Sequence, residues 1–234
     1  MARLMLFVRL ALLFVLLGIS KVAEAQQDLS LGMQVTDFVR LGDKQIPLPA
    51  GIWTVVATSD ADKSKGVPLA RVILAQMDGN RLAKWAYLSM TVEYGERDRG
   101  RNKDVCDRNN VHAGYSSPYS PHETECWMLN HYGQTLGNNP AQVWVDFFRW
   151  SDGRGRPNTS VALVYYFAKK GGYFFAEYHF NPVVAGFPDT PTAAWRGNPW
   201  HADMASKDAK KLEYLRGLKA IGEKLFEQLR GALN

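Results

Sequence analysis

A repeating pattern of leucines near the C-terminus constrains the fold of this chain more than any other feature. In residues 206–233 apolar side chains recur at steps of three and four, and charged side chains fill the positions between them. This spacing predicts a long amphipathic helix with one buried face. We expect Ser206 to cap its start, with Asp208 in the first turn facing the positive end of the helix dipole. The apolar face contains Leu212, Leu215, Leu218, Ile221, Leu225, Leu229 and Leu233.

A helix lying on a membrane surface is the alternative interpretation of the same residues. The polar face, however, mixes lysines with three acidic residues, which are Glu213, Glu223 and Glu227. Because a membrane-surface helix binds anionic lipid through an excess of basic residues, this mixture favours packing against a sheet.

Two hairpins are predicted ahead of the helix. Residues 69–77 and 81–94 are rich in strand-forming side chains and flank an Asp-Gly pair. Such a pair supplies the positive-φ residues that a tight primed turn requires. Residues 160–168 and 173–180 flank a Lys-Lys-Gly-Gly segment in the same way and predict the second hairpin.

Two further segments complete the prediction of the fold. Residues 52–58 are rich in Val, Thr and Trp and predict a buried strand. Residues 143–150 are apolar on both faces of an assumed strand, so we expect a strand that is covered on both sides. The predicted fold class is therefore α+β: a twisted, mainly antiparallel sheet with a long C-terminal amphipathic helix packed on it.

The first 25 residues have the three parts of an export signal in the right order. Arg3 and Arg9 provide positive charge, residues 10–19 form an apolar core, and Ala23-Glu24-Ala25 is a small-x-small cleavage site. The apolar core is too short for a comfortable membrane span. We expect cleavage after Ala25, a single domain over residues 26–234, and a periplasmic or secreted protein.

Charge and motif content exclude several classes of function. The net charge of +5 loses three basic residues and one acidic residue with the signal, which leaves a weakly basic mature chain. No basic track indicates a nucleic-acid partner. The sequence also lacks Gly-x-Ser-x-Gly, His-Glu-x-x-His, a phosphate loop and a dinucleotide fingerprint, so the large enzyme families that carry them are disfavoured.

Cys106 and Cys126 are the two cysteines of the chain. In an oxidising compartment two such cysteines usually pair, and on the chain-entropy model this bridge contributes ~3 kcal/mol to stability. A redox-active or metal-binding thiol pair is the alternative. No Cys-x-x-Cys motif supports that alternative, so we predict a structural disulfide.

Histidines cluster around the second cysteine. His112, His122 and His131 fall within 20 residues, together with Glu123 and Glu125. Imidazole and carboxylate groups are ligands for zinc or copper, so His112, His122, Glu125 and His131 are candidate metal ligands. The alternative is a surface loop pinned by the disulfide and carrying ordinary polar residues, because the spacing matches no known ligand module.

Two further clusters are candidate functional sites. Glu177 and His179 share one face of a predicted strand and could act as an acid–base pair, with Asp146 on a neighbouring strand. No serine or cysteine nucleophile is apparent for them, and ordinary surface polarity is the alternative. The second cluster could bind a sugar ring or a partner protein, although a cover over the core is the favoured interpretation; it contains Trp195, Arg196, Trp200 and His201.

Three segments of the chain resemble those of uncharacterised exported proteins of Gram-negative bacteria. They are Leu48-Pro49-Ala50-Gly51-Ile52-Trp53, Tyr178-His179-Phe180-Asn181-Pro182, and the segment from Trp195 through Trp200-His201. The resemblance implies residence in the periplasm and brings no known activity and no catalytic residue. The order of strands followed by a terminal helix is also similar to that of PsbP-like sheet-and-helix domains.

The favoured function is a non-catalytic binding or interaction domain of the cell envelope. Its partner would be an envelope protein, a glycan or a small apolar ligand, with no cofactor, no nucleic acid and no transmembrane span after cleavage of the signal. The alternative is a secreted hydrolase or metal-dependent enzyme that uses the histidine-rich loop around Cys106 and Cys126.

Overall fold

The computed structural model describes residues 29–59, 69–91, 101–120, 122–169, 171–191 and 195–234. The predicted export signal lies outside the described residues. The strands are β1 (Gln34–Val35), β2 (Phe38–Leu41), β3 (Lys44–Pro47), β4 (Trp53–Ser59), β5 (Leu69–Asp78), β6 (Arg81–Thr91), β7 (Ala113–Ser116), β8 (Thr124–Gly133), β9 (Thr159–Lys169) and β10 (Gly172–Phe180). The helices are α1 (Lys103–Cys106), α2 (Gln142–Ser151), α3 (Ala202–Ala205) and α4 (Ala209–Leu233).

Eight strands form one antiparallel sheet in the order β1-β4-β5-β6-β10-β9-β8-β7, and β2 and β3 form a separate hairpin. The predicted α+β class is confirmed, and so are the hairpins β5–β6 and β9–β10. The turn of the first hairpin contains Gly79 and Asn80 rather than the predicted Asp78 and Gly79, because Asp78 pairs with Arg81. Gly79 has φ +60°, a value that glycine adopts without strain.

The long helix α4 packs on one face of the sheet together with the β2–β3 hairpin. Its buried face is narrower than the leucine pattern indicates, and Ile221 is 41% exposed. Gly222 lies in the contact instead, where a Cβ atom would stand 2.6 Å from Leu163 Cδ2. The buried positions are Leu215, Leu218, Gly222, Leu225, Phe226 and Leu229. No helix among the described residues has the length and apolarity needed to cross a membrane.

The long helix begins later than predicted, and a separate short helix, α3, precedes it. Ser206 ends α3, where its hydroxyl donates to the Asp203 carbonyl at 3.1 Å. Asp208 caps α4 instead, since its carboxylate accepts from the backbone N–H groups of Lys210 and Lys211. A carboxylate at this position satisfies amide donors that have no partner within the helix.

The other face of the sheet is covered by α2, which was predicted as a strand over residues 143–150. That prediction is wrong because the residues follow helical spacing: Val143 and Phe147, four apart, are both fully buried. Trp144 and Phe148 pack partly buried beside them. Adjacent aromatic residues, such as Phe147 and Phe148, imitate in the sequence the two-faced apolar pattern of a buried strand.

The disulfide links α1 to β8, with an S–S distance of 1.98 Å and a Cα–Cα distance of 5.3 Å. The predicted pairing of Cys106 with Cys126 therefore matches the structure. The surrounding segment is not the surface loop that the sequence indicated, because β8 pairs with β7 on one side and β9 on the other. Cys126 and Met128 are buried in the cluster beneath the bridge.

Candidate functional site

A cavity of about 410 Å³ opens at the end of the sheet where β8 begins, β9 turns into β10 and α4 ends. This volume lies within the range of small-ligand sites, roughly 300–1,000 Å³. Apolar side chains from three strands and the helix form its floor, and polar side chains surround its mouth. The floor contains Met90, Phe167, Phe174 and Leu233, and the rim contains Ser117, Ser120, Glu123, Thr124, Glu125, Lys169 and Arg230.

The floor follows from strand register. Phe174 pairs with Met90 on one side and with Phe167 on the other, so the three side chains project from the same face of the sheet. The Phe167 and Phe174 rings are 6.3 Å apart, and Phe226 of α4 stacks on Phe167 at 5.3 Å. The rings hold one another in place, and the floor is therefore preformed.

The rim is organised by Arg230. Its Nε and Nη2 donate to the two oxygens of Glu125 at 3.0 and 2.8 Å, and its Nη1 donates to Glu227. The guanidinium lies 4.6 Å above the Phe226 ring. Hydrogen bonding with Glu125 raises the pKa of Arg230 above its usual value. A two-point ion pair fixes the orientation of both side chains, so the helix end and the start of β8 form one rigid rim.

Charges at the mouth of the cavity balance. Glu123 and Glu125 oppose Lys169 and Arg230, and Lys169 bonds the Asn234 side chain. The Ser117 hydroxyl accepts from the backbone N–H of Glu125 at 3.1 Å. The cavity therefore combines an apolar interior with a rim that offers hydrogen bonds without a strong net charge.

The four predicted metal ligands do not meet. Glu125 and His131 stand six positions apart on β8, about 20 Å along the strand. His122 precedes β8, at the same end as Glu125, and Glu125 is engaged with Arg230. In the part of the chain that the structure describes, no group of three or more His, Cys, Asp or Glu side chains is arranged to hold a metal ion.

A different set of histidines meets at the far end of β8. The His131 ring stacks on Trp195 at 3.9 Å and faces the edge of His201 at 5.7 Å. His112 Nε2 donates to the Trp200 carbonyl at 2.9 Å, and the Arg108 guanidinium lies 4.2 Å from the Trp195 ring. Residues from two predicted sites thus lie in one cluster. His112 and His131 were candidate metal ligands, and Trp195, Trp200 and His201 belonged to the candidate binding cluster.

Burial favours the neutral forms of His131 and His112. It lowers the pKa of His131 from 6.5 to about 4, and the neighbouring His112, His201 and Arg108 act in the same direction. Burial also lowers the pKa of His112. Trp200 lies in the core against Phe187, whereas Arg196 is exposed. The segment after Trp195 therefore covers the edge of β8.

Glu177 and His179 lie together as predicted, and the structure adds a serine that the sequence did not reveal. Ser160 Oγ lies 2.9 Å from His179 Nδ1, and His179 Nε2 lies 3.5 Å from Glu177 Oε2. Because the carboxylate only accepts, Nε2 carries the hydrogen and Nδ1 accepts from Ser160. Gln134 Nε2 donates to the same hydroxyl at 2.8 Å. The four side chains form a continuous hydrogen-bonded chain.

This series of hydrogen-bonded side chains is not accessible to substrates. Ser160 is 0% exposed and His179 is 3% exposed. The His179 ring stacks on Trp85 at 4.8 Å and is nearly parallel to it. Asp146, predicted to complete the trio, lies on α2 and bonds Gln142 and Arg149 instead. The arrangement therefore orients the Glu177 carboxylate and offers no accessible nucleophile.

Comparisons with known proteins assign no family. No protein-family model matches the sequence, and no curated protein or solved structure is significantly similar to it. Function is therefore inferred from the residues themselves.

Proposed function

We propose that this protein is a non-catalytic binding domain of the cell envelope, and that the cavity at the end of its sheet holds a small amphipathic ligand. The observation that carries the proposal is the preformed apolar floor of Met90, Phe167, Phe174 and Leu233 beneath a balanced polar rim. A concave apolar site with a few convergent polar groups is the usual form of a small-molecule site.

The floor favours an apolar body. Phe167 and Phe174 are buried in the core and held by neighbouring rings, so binding requires little reorganisation of their side chains. Removing an apolar group from water into such a site is favourable in proportion to the area buried. A preformed site also avoids the entropy cost of ordering side chains on binding.

The rim favours a neutral or zwitterionic head. The donors of Arg230 face Glu125 and Glu227, so its charge is already compensated. A strongly anionic or cationic head would have to compete with these internal ion pairs. Hydroxyl and amide groups of a ligand, by contrast, can bond Ser117 or Thr124 without separating the paired charges.

We also propose that the protein is exported and that it does not act as a catalyst. The signal-like residues 1–25 support export, and a disulfide such as Cys106–Cys126 persists in an oxidising compartment. The resemblance to exported bacterial proteins agrees with a periplasmic location. The buried position of Ser160 and His179 argues against a hydrolase that would use them.

A fluorescence titration tests the proposal. The probe is N-phenyl-1-naphthylamine, an apolar dye whose emission rises when it leaves water. We expect saturable binding to the parent protein and a loss of about tenfold in affinity for Leu233→Asp, because the variant places a charge in the apolar floor. Leu136→Asp, an exposed leucine beyond the opposite end of β8, is the matched control and keeps parental affinity. Absence of binding to the parent, or equal affinity in both variants, contradicts the proposal.

A further inference from the structure

We propose that the opposite face of the sheet carries a second binding site, and that its ligand is a saccharide. The site is a cleft of about 370 Å³, here called the tyrosine cleft, which is lined by Tyr87, Ser89, Asn102, Tyr166, Tyr173 and Phe175. Its volume lies in the lower part of the range for small-ligand sites, about 300–1,000 Å³. The proposal is independent of the ligand assigned to the apolar cavity.

Strand register places the aromatic rings of the cleft side by side. Phe175 pairs with Ser89 on β6 and with Tyr166 on β9, so these three residues form one row across the sheet. The Tyr166 and Tyr173 rings are stacked at 6.1 Å, and the Tyr87 ring meets the edge of Phe175 at 6.1 Å. A pyranose has an apolar C–H face that packs on such rings and hydroxyl groups that project from its rim.

Polar side chains lie in the cleft and beside it on the same face of the sheet. Ser89 is 2% exposed, and its hydroxyl interacts with the neighbouring Tyr87 phenol. Glu177 pairs with Tyr87 across the strands and faces the same side of the sheet. Arg71 pairs with Ser89 on the other side and also acts electrostatically on the Tyr87 phenol. The row thus ends in an arginine on β5, and a carboxylate lies in the neighbouring row, two residues from Phe175 along β10.

The buried hydrogen-bonded chain behind the cleft gives Glu177 a fixed orientation. Gln134, Ser160 and His179 bond in series, and His179 Nε2 faces the Glu177 carboxylate. A carboxylate held in place accepts hydrogen bonds from ligand hydroxyls with less loss of side-chain freedom. In this role the hydrogen-bonded side chains support the Glu177 carboxylate as a ligand-binding group.

The combination selects for a neutral polyhydroxyl ligand. A purely apolar ligand would cover the Glu177 carboxylate and offer it no hydrogen bond beyond the one from His179, which is unfavourable in a partly buried site. A cation or an anion would be attracted by one of the side chains Arg71 and Glu177 and repelled by the other, so neither sign of charge is favoured. A saccharide can bond the arginine and the carboxylate through its hydroxyl groups and pack on the neighbouring rings.

Calorimetric titration with maltotriose, cellotriose and tri-N-acetylchitotriose tests the proposal. We expect at least one of them to bind saturably at millimolar or lower concentration, and Ser89→Ala and Glu177→Gln to weaken that binding by about tenfold each. Tyr119→Ala, an exposed tyrosine outside the cleft, is the matched control and leaves the affinity unchanged.

The two sites are separated by their variants. Leu233→Asp weakens binding of the naphthylamine dye and leaves saccharide binding intact, while Ser89→Ala does the reverse. Failure of all three saccharides to bind, parental affinity in both cleft variants, or displacement of the saccharide by tetramethylammonium overturns the assignment. None of these results affects the proposal for the apolar cavity.

Discussion

Arg230, one turn before the end of α4, donates two hydrogen bonds of 2.8 and 3.0 Å to Glu125 at the start of β8. The two residues are 105 positions apart in the chain. The helix packs along its length through apolar contacts, and this pair sets where its last turn meets the sheet. Because Leu233 in this last turn lines the cavity, the position of the turn also determines the width of the cavity.

Breaking the pair has a small effect on stability. Both side chains are about one-third exposed, so we expect Glu125→Gln to lower the free energy of unfolding by ~0.5–1 kcal/mol. Urea denaturation of Glu125→Gln, Arg230→Gln and the double variant measures the coupling. Additive effects of the two single substitutions would contradict a direct interaction.

The buried face of α4 accounts for much more of the stability. Leu225 is 2% exposed, so Leu225→Asp buries a charge without a partner and should cost ~3–5 kcal/mol. Ile221→Asp makes the same chemical change on the exposed side of the same helix and should change thermal stability little. Equal destabilisation by both substitutions would mean that the helix is rotated relative to this description.

Reduction of the disulfide should destabilise the fold without abolishing it. The bridge spans 20 residues, for which loop entropy predicts a loss of ~3 kcal/mol on its removal. The measurement is denaturation of the parent and of the Cys106→Ser, Cys126→Ser double variant. Thiol titration of denatured, unreduced parent protein should find no free sulfhydryl, and two free thiols there would contradict the pairing.

Acid should weaken the fold through the buried histidines. Because the pKa of His131 is about 4 in the folded protein and 6.5 when unperturbed, the unfolded chain binds an extra proton between these pH values. The free energy of unfolding therefore falls as the pH is lowered through this window. His131→Phe preserves an aromatic ring against Trp195 and should show a shallower pH dependence.

Urea denaturation at several pH values from 4 to 7 measures this slope. His122→Gln, at an exposed position near the other end of β8, is the control and should keep the parental slope. A parental slope in His131→Phe would show that other groups carry the acid sensitivity.

Local signals in the sequence account for the hairpins, the long helix and the disulfide. Gly79 marks a turn because its positive φ is strained for other residues, and four of the leucines that predict α4 lie on its buried face: Leu215, Leu218, Leu225 and Leu229. The two cysteines have no other partner in the chain. Each of these features depends on residues close in sequence or on chemistry with one solution.

The structural features that the sequence did not predict arise from contacts between segments that are far apart in the chain. The aromatic-rich α2 imitates a buried strand because its side chains pack against the sheet and against one another, as Trp144 does with Phe147. The long separation of Ser160 from Gln134 and His179 hides the buried chain that they form. The apolar cavity unites Met90 with Leu233, and no local pattern predicts that meeting.

The most direct test of the proposed function is to locate a bound apolar ligand by nuclear magnetic resonance. Intermolecular nuclear Overhauser effects are measured between N-phenyl-1-naphthylamine and the isotope-labelled protein. We predict contacts from the dye to the Phe167 and Phe174 rings and to the methyl groups of Met90 and Leu233. Contacts confined to the tyrosine cleft or to the Trp195–His131 cluster, or no contacts at saturating dye, would contradict the account.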